Sequence, residues 1–396
     1  MKADILAGDR GELVSLMEPT HLGESYRHRN RLMDLAIDLA QKSEGFRRSL
    51  PPSLTPSLAS LVRSMNCYYS NLIEGHDTHP IDIERALQAD YSEDVRKRDL
   101  QLEARAHITV QQWIDEGGLS GSAALTGEGL CEIHRRFYQL LPDELKWVED
   151  PATKERRQVE PGSLRLHDVR VGQHVAISPG AIPRFLERFA QVYGRTGKAE
   201  ALLALAAAHH RILWIHPFLD GNGRVSRLMS HAQMLEVLNT GAVWSVARGL
   251  ARNVADYKRL LANCDQARPN DLEALGQFTD FFLRVCIDEV DSLEGLLQPD
   301  RLRARILNWA DQEYRLGRLP GNAAAILEAI LFRGELPRGD ADTILRTGER
   351  QARRVVSALL DTGALVSDGP RAPLRLAFPA ILAAHWMPGL FPDHSR

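Results

Sequence analysis

Most of the chain repeats apolar residues at helical spacing. Leu58, Leu61, Val62, Met65, Tyr69 and Leu72 follow the i, i+3, i+4, i+7 rule of a single buried stripe. Gly75 stands where such a helix ends, because glycine enters the left-handed conformation of a C′ position without strain. Pro80 suits the first turn of a following helix, with Asp82 and Glu84 near its positive end. The same spacing predicts helices over 98–116, 127–140, 180–193, 198–214, 223–239, 253–264 and 270–314.

Two stretches break this pattern. SLRLHDVRVGQHVAIS, 163–178, alternates apolar and polar residues around Gly172 and Gln173. It reads as a β-hairpin standing out of a helical body, with His167 and His174 as exposed residues and not metal ligands. RLGRLPGN, 315–322, is rich in Gly, Pro and Arg and reads as a boundary. Beyond it come an apolar helix over 323–332, a short one near 340–346, and a third over 347–363. ALVSDGPRAPLRLAF then reads as two strands about a Gly-Pro turn. Helix, helix, helix, hairpin is the order of a winged helix-turn-helix. The expected fold is therefore an all-α core with a β-hairpin, plus a C-terminal winged helix-turn-helix domain of α+β type.

Composition narrows the function classes. The 396 residues are 44% hydrophobic and 26% charged, and the formal net charge is −3. These are values of an ordinary soluble protein, with no global push towards nucleic acid or membrane. Cys67, Cys131, Cys264 and Cys286 are far apart and form no CxxC, which argues against zinc or a disulfide framework. MKADILAGDRGE carries no apolar signal core, and ALLALAAA at 201–208 is too short to span a bilayer. A reducing, cytoplasmic setting is the expectation.

The chemistry concentrates at 216–227, HPFLDGNGRVSR. Gly221 and Gly223 flank Asn222, and a strongly helical segment follows. A glycine-rich turn that feeds a helix N-terminus offers free N–H groups and a positive dipole end to an anion. Arg224 and Arg227 are three apart and share a helix face, an arrangement suited to polyphosphate. Asp220 is the only carboxylate in the stretch. Beside phosphates its natural role is Mg²⁺, which takes one or two carboxylates plus phosphate oxygens. His216 remains as a base that can activate a hydroxyl near neutral pH.

At every defined position this stretch resembles the Fic family pattern HxFx[DE]GNGRxxR. The flanking AAAHHRILWIHPF and ARNVADYKRLL agree, and the resemblance covers roughly 55–290. It implies a protein adenylyltransferase, which moves AMP from ATP to a Ser, Thr or Tyr hydroxyl of a target protein or of itself. It also implies the roles. His216 is the general base, and Asp220 holds Mg²⁺ on the α- and β-phosphates. Gly221, Asn222 and Gly223 form the anion hole. Arg224 meets the β-phosphate and Arg227 the γ-phosphate, and Tyr257 is either a nucleotide contact or a core residue. Phe218 is a core anchor. The hairpin matches the family's flap, which pairs with an extended segment of the target.

A second motif, SNLIEG at 70–75, resembles the family's inhibitory pattern [ST]xxxE[GN] through Ser70, Glu74 and Gly75. Glu74 falls at a helix C-terminus, where the dipole disfavours a carboxylate, so it needs a cation. The resemblance implies Arg227 as that cation, which would take away the γ-phosphate clamp. It also divides the chain. Residues 1–115 form a helical region with the inhibitory motif, 116–315 the Fic domain with its following helices, and 316–396 the winged helix. Arg346, Arg350, Arg353 and Arg354 crowd the third helix of that last module, whose partner is DNA or protein. A homodimer is compatible with the sequence. Two alternatives stand beside the transferase. One is a DNA-binding regulator whose core senses nucleotide. The other is a bifunctional enzyme that also removes AMP, with Glu74 orienting water.

Overall fold

The computed structural model describes residues 8–150, 153–194, 196–268 and 271–392. Residues 1–7, on which much of the reading of the N-terminus rests, and the expected helix start at 270 lie outside them.

Two helices joined by the 216–221 loop form the centre, Lys198–Ile215 and Asn222–Leu238. The first runs from Leu202 to His210 without an exposed residue. A helix apolar on every side belongs in the interior, and its alanines let neighbours approach closely. It packs against Arg29–Ser49, Ile182–Tyr193 and Leu272–Leu297, while Asn222–Leu238 packs against Val95–Asp115, Gly121–Ala124 and Gly127–Gln139. The helix Arg29–Ser49 was not foreseen from the apolar spacing.

Helix Thr55–Ile73 carries the expected stripe, with Leu58, Leu61, Val62, Met65 and Tyr69 buried. It is more enclosed than one stripe requires, because Asn66, Ser70 and Asn71 are buried too. Its end is fixed by glycine. Gly75 takes φ +87°, its N–H donates to Leu72 O at 3.1 Å, and the N–H of His76 donates to Asn71 O at 2.9 Å. This is the paired closure of a Schellman motif. It leaves Glu74 as the C-cap residue. Pro80–Leu87 follows as expected, with Asp82 in its first turn.

Three expectations are corrected. The stretch 270–314 is two helices, Leu272–Leu297 and Pro299–Arg315, broken at Gln298, which has ψ 122°. Proline disfavours helical geometry in the residue before it and takes the first position of the next helix. The hairpin within 163–178 is short: Arg170–Val171 pairs with His174–Val175 across Gly172, which has φ +60°. The first half of the stretch does not join the ladder, because the backbone N–H of Arg165 donates to Pro217 O at 2.9 Å. His167 is exposed, but His174 is half-buried, with Nε2 2.8 Å from Trp214 O. A further hairpin, Trp147–Glu149 with Arg156–Gln158, had no clear alternation to announce it.

The C-terminal elements run in the order Ala323–Arg333, Glu335–Leu336, Ala341–Leu345, Glu349–Asp361, Leu365–Val366 and Leu374–Leu376. The three strands form one antiparallel sheet with Leu374–Leu376 in the centre. A last helix, Ala380–Trp386, packs back on Pro299–Arg315 and Pro80–Leu87. Trp386 meets Trp309 edge-on at 5.4 Å, and Tyr69 donates its hydroxyl to Leu390 O at 2.8 Å. No helix among the described residues is long and apolar enough to cross a membrane.

The core also holds imidazoles. Burial pushes the pKa of His107 and of His209 down to about 3, and those of His134 and His210 down to about 4. Each folded value lies below the ordinary 6.5, so the fold favours the neutral ring. That contribution is fully present above pH 6.5 and is lost as pH falls towards 4 for His134 and His210 and towards 3 for His107 and His209. Each ring can remove up to about 1.4 kcal/mol of stability per pH unit in that window. Urea midpoints should therefore fall steadily between pH 7 and pH 5. A flat profile would show that these rings are hydrated or charged in the fold.

Candidate active site

The loop between the two central helices is held from several sides. His216 caps the first helix in the left-handed conformation, φ 51° and ψ 60°. Asn222 closes the loop on itself: its Oδ1 accepts the Phe218 N–H at 3.0 Å, and its Nδ2 donates to Phe218 O at 2.8 Å. The Asn222 amide is thus spent inside the loop, and an anion would meet backbone N–H groups. Gly221 sits at φ +80°, and a Cβ there would lie 2.9 Å from Tyr138. No side chain caps the helix that begins at Asn222, so its first N–H groups stay available. Phe218 is fully buried and stacks on His134 at 4.1 Å, which bears out its reading as an anchor.

His216 has the chemistry of a base. Its Nδ1 lies 3.3 Å from Leu213 O, a carbonyl that can only accept, so the proton sits on Nδ1 and Nε2 carries the lone pair. Burial pushes its pKa down to about 4, with Arg165 and His174 acting the same way and the Leu213 carbonyl and Asp220 opposing them. The ring is neutral at physiological pH.

Asp220 lies open to solvent on one side with protein packed behind it. Tyr138 donates its hydroxyl to Oδ2 at 2.6 Å. Burial pulls the Asp220 pKa up, but Arg224, the Tyr138 hydroxyl and the Gly221 N–H outweigh it and hold the carboxyl below its ordinary value. His134 supports the same loop. The Gly162 N–H donates to its Nδ1 at 2.8 Å, so its Nε2 carries the proton and faces Asp220 O at 3.3 Å. Among the described residues no group of three or more His, Cys, Asp and Glu forms a cage. One ionised carboxylate beside a phosphate cradle fits an ion that keeps substrate oxygens and water as its other ligands, the habit of Mg²⁺.

The two arginines are occupied. Arg224 Nη2 donates to Glu103 Oε2 at 2.6 Å and lies 3.3 Å from His76 Nδ1, and its guanidinium rests over the Phe137 ring. Arg227 is 2% exposed. Its Nε donates to Ser70 Oγ at 2.7 Å, and its Nη2 to Ser70 O at 3.3 Å and to Glu74 Oε1 at 2.5 Å. Burial raises the Glu74 pKa, but Arg227 and then Arg224 outweigh it, so Glu74 stays ionised well into acid. Gly223 makes this approach possible: a Cβ there would lie 2.2 Å from Glu74 Oε1. Ser70, Glu74, Gly75 and Arg227, 153 residues apart along the chain between Glu74 and Arg227, are thus brought together.

Of the two readings of Tyr257, the structure shows its packing in the core. It is 3% exposed, and its hydroxyl meets His209 Nε2 at 2.7 Å, behind the Arg227 side chain. In this structure it is a core residue, as its place on the apolar face of Val254–Gln266 allows. Sequence reading missed Glu103, His134, Tyr138 and Arg165. A signal existed for two of them, since His134 and Tyr138 sit four apart on the buried face of Gly127–Gln139.

An imidazole, a carboxylate and two guanidinium groups around an uncapped helix N-terminus are groups suited to a phosphate. Residues 124–234 match the model of the Fic/DOC family, so the chain carries a Fic domain. It is similar to proteins named "Protein adenylyltransferase Fic". That of Drosophila erecta is 26% identical over 247 residues, 59% of this chain and 46% of the relative. That of Culex quinquefasciatus gives the same figures. The match thus spans about half the length of these curated relatives. Among solved structures, a Fic family protein from Desulfovibrio desulfuricans has a TM-score of 0.54 at 17% identity, over 90% of this chain and 98% of that one. Fic-1 of C. elegans has a TM-score of 0.50 at 16% identity, over 68% and 74%. At these identities the likeness is one of fold.

Proposed function

We propose that the chain is a protein adenylyltransferase held in check by Glu74. The observation that carries the reading is the capture of Arg227 by Ser70 and Glu74 beside an otherwise complete set of loop residues. An inert scaffold has no need of a lone-pair imidazole, an ionised aspartate and an uncapped helix start on one loop.

The chemistry follows from the parts. The triphosphate of ATP lies across the N–H groups at 221–224. Arg224 and Arg227 neutralise its charge once they leave Glu103 and Glu74. Asp220 would hold Mg²⁺, which when bound neutralises phosphate oxygens and fixes their geometry. The target hydroxyl oxygen attacks the α-phosphorus as the α–β bridging P–O bond breaks. Pyrophosphate leaves, and the hydroxyl proton passes to His216 Nε2. Such transfers depend on positioning and charge more than on covalent chemistry. Mass spectrometry after incubation with ATP and Mg²⁺ tests the reading. AMP adducts that disappear in His216→Ala support it, and unmodified protein in an active-state variant overturns it.

The helix order and three-stranded sheet at the C-terminus support a winged helix over 316–396, beside an N-terminal region 1–115 and a catalytic region 116–315. Arg346, Arg350, Arg353 and Arg354 are all exposed there. Fluorescence anisotropy with duplex DNA over a salt series decides their role, since a phosphate-reading face loses affinity with each released counterion.

A further inference from the structure

Arg165 is 3% exposed, yet no carboxylate among the described residues lies within ion-pair distance of it. A buried guanidinium is costly unless its donors are met. Here they are met by backbone carbonyls. Nε donates to His216 O at 2.7 Å, Nη1 to His167 O at 2.8 Å, and Nη2 to Ile177 O at 2.6 Å and Ile215 O at 3.5 Å. The Arg165 backbone N–H adds a bond to Pro217 O. One side chain therefore reaches both roots of the hairpin and the loop that bears His216.

We propose that Arg165 is a positioning residue: it holds His216 in its left-handed turn and locks the hairpin roots to the catalytic loop. The proposal rests on the reading of His216 as the base. Three physical points support it. His216 is not glycine, so its left-handed backbone is strained and persists only where neighbours fix it. The carbonyls of Ile215 and His216 lie at a helix C-terminus, where they lack intrahelical donors and favour a cation. The imidazole is aimed by its contact with Leu213 O, so a peptide that turns at 216–217 turns the ring with it. A target bound along the hairpin is thereby held at a fixed offset from the base, because both hang from one planar fork. Lysine, with a single ammonium, cannot span these carbonyls.

The test compares Arg165→Met and Arg165→Lys in the Glu74→Gly protein. In the methionine variant kcat should fall by about 100-fold, the cost of a base displaced by about 1 Å. KM for ATP should hold, because Arg165 touches none of the residues around the phosphate cradle beyond His216. Lysine should recover part of kcat, and it carries the comparison should the methionine variant fail to fold. A second readout does not need activity: titration of His216 by ¹⁵N NMR in protein labelled at histidine. The groups that bear on this ring are Arg165, His174 and Asp220. Removing the Arg165 charge should lift the His216 midpoint from about 4 towards 6.5, and lysine should keep it low. If Glu74→Gly has no activity at all, the transferase reading fails while the titration still decides this one. A folded methionine variant with unchanged kcat and an unchanged His216 midpoint overturns the proposal, as does a rise in KM that accounts for the whole loss.

Discussion

Glu74→Gly should raise auto-incorporation of AMP by about 100-fold or more in ATP and Mg²⁺, the scale of an arginine's contact with a developing phosphoryl charge. In this structure Arg227 is engaged on one side: Nε serves Ser70, and Nη2 serves Ser70 O and Glu74. On the proposed reading, a γ-phosphate must compete with that carboxylate for Arg227. Glu74 is attached through the C-cap of a buried helix whose end is locked by Gly75, so it does not swing aside cheaply. Removing the side chain frees Arg227 and, because Gly223 faces Glu74 Oε1, also clears the space above the anion loop. Incorporation is read by intact mass or labelled nucleotide. A rate no higher than that of the parent would refute the inhibitory assignment.

The same substitution has a thermodynamic signature. It leaves a buried cation without its carboxylate. Glu74 is 36% exposed, so the loss is smaller than for a fully buried pair, about 1–2 kcal/mol in the free protein. A triphosphate then fills the vacancy. Magnesium ATP should therefore raise the melting temperature of Glu74→Gly by more than it raises that of the parent, by linkage. Glu74→Gln separates charge from shape: it keeps a hydrogen-bond acceptor for Arg227 and should fall between the two.

Local pattern and long-range pattern were not equally legible in the sequence. The helix at Thr55–Ile73 and its stop at Gly75 were readable because apolar period and glycine chemistry are local signals. The break at Gln298 was readable in principle, since Pro299 announces it, but the strong apolar period on both sides masked it. The hairpin was overread for a different reason. Leu164, Leu166, Val169 and Val171 alternate well enough, yet Arg165 turns inward to serve His216 and Pro217, a contact across 51 residues that no window of sequence displays. The site shows the same division. Asp220, Gly221 and Arg224 share one stretch and were found together. Their partners Tyr138 and Glu103 come from other helices, and a lone tyrosine or glutamate on a helix carries no mark of its destination. Tyr257 is ambiguous in another way: its spacing suits a ligand or a core residue equally, and in the fold it lies buried against His209.

His216→Ala in the Glu74→Gly protein should lower the rate by about 10²- to 10⁴-fold, the range for loss of a positioned general base. The pH profile tells more than the loss does. The working form is the neutral ring, present above its pKa, so activity should stay level from pH 8 down towards 5 and fall only near about 4, where burial has pushed the midpoint. An exposed imidazole would instead lose activity through 6.5. Asp220 also protonates in acid, but if it holds Mg²⁺ as proposed, its effect should recede as Mg²⁺ is raised, whereas the His216 limb should not move. Loss of activity through pH 6.5 that is insensitive to Mg²⁺ would mean that the ring leaves its enclosed seat before the hydroxyl is attacked. The hold of Arg165 and Leu213 on it would then belong to the resting protein alone.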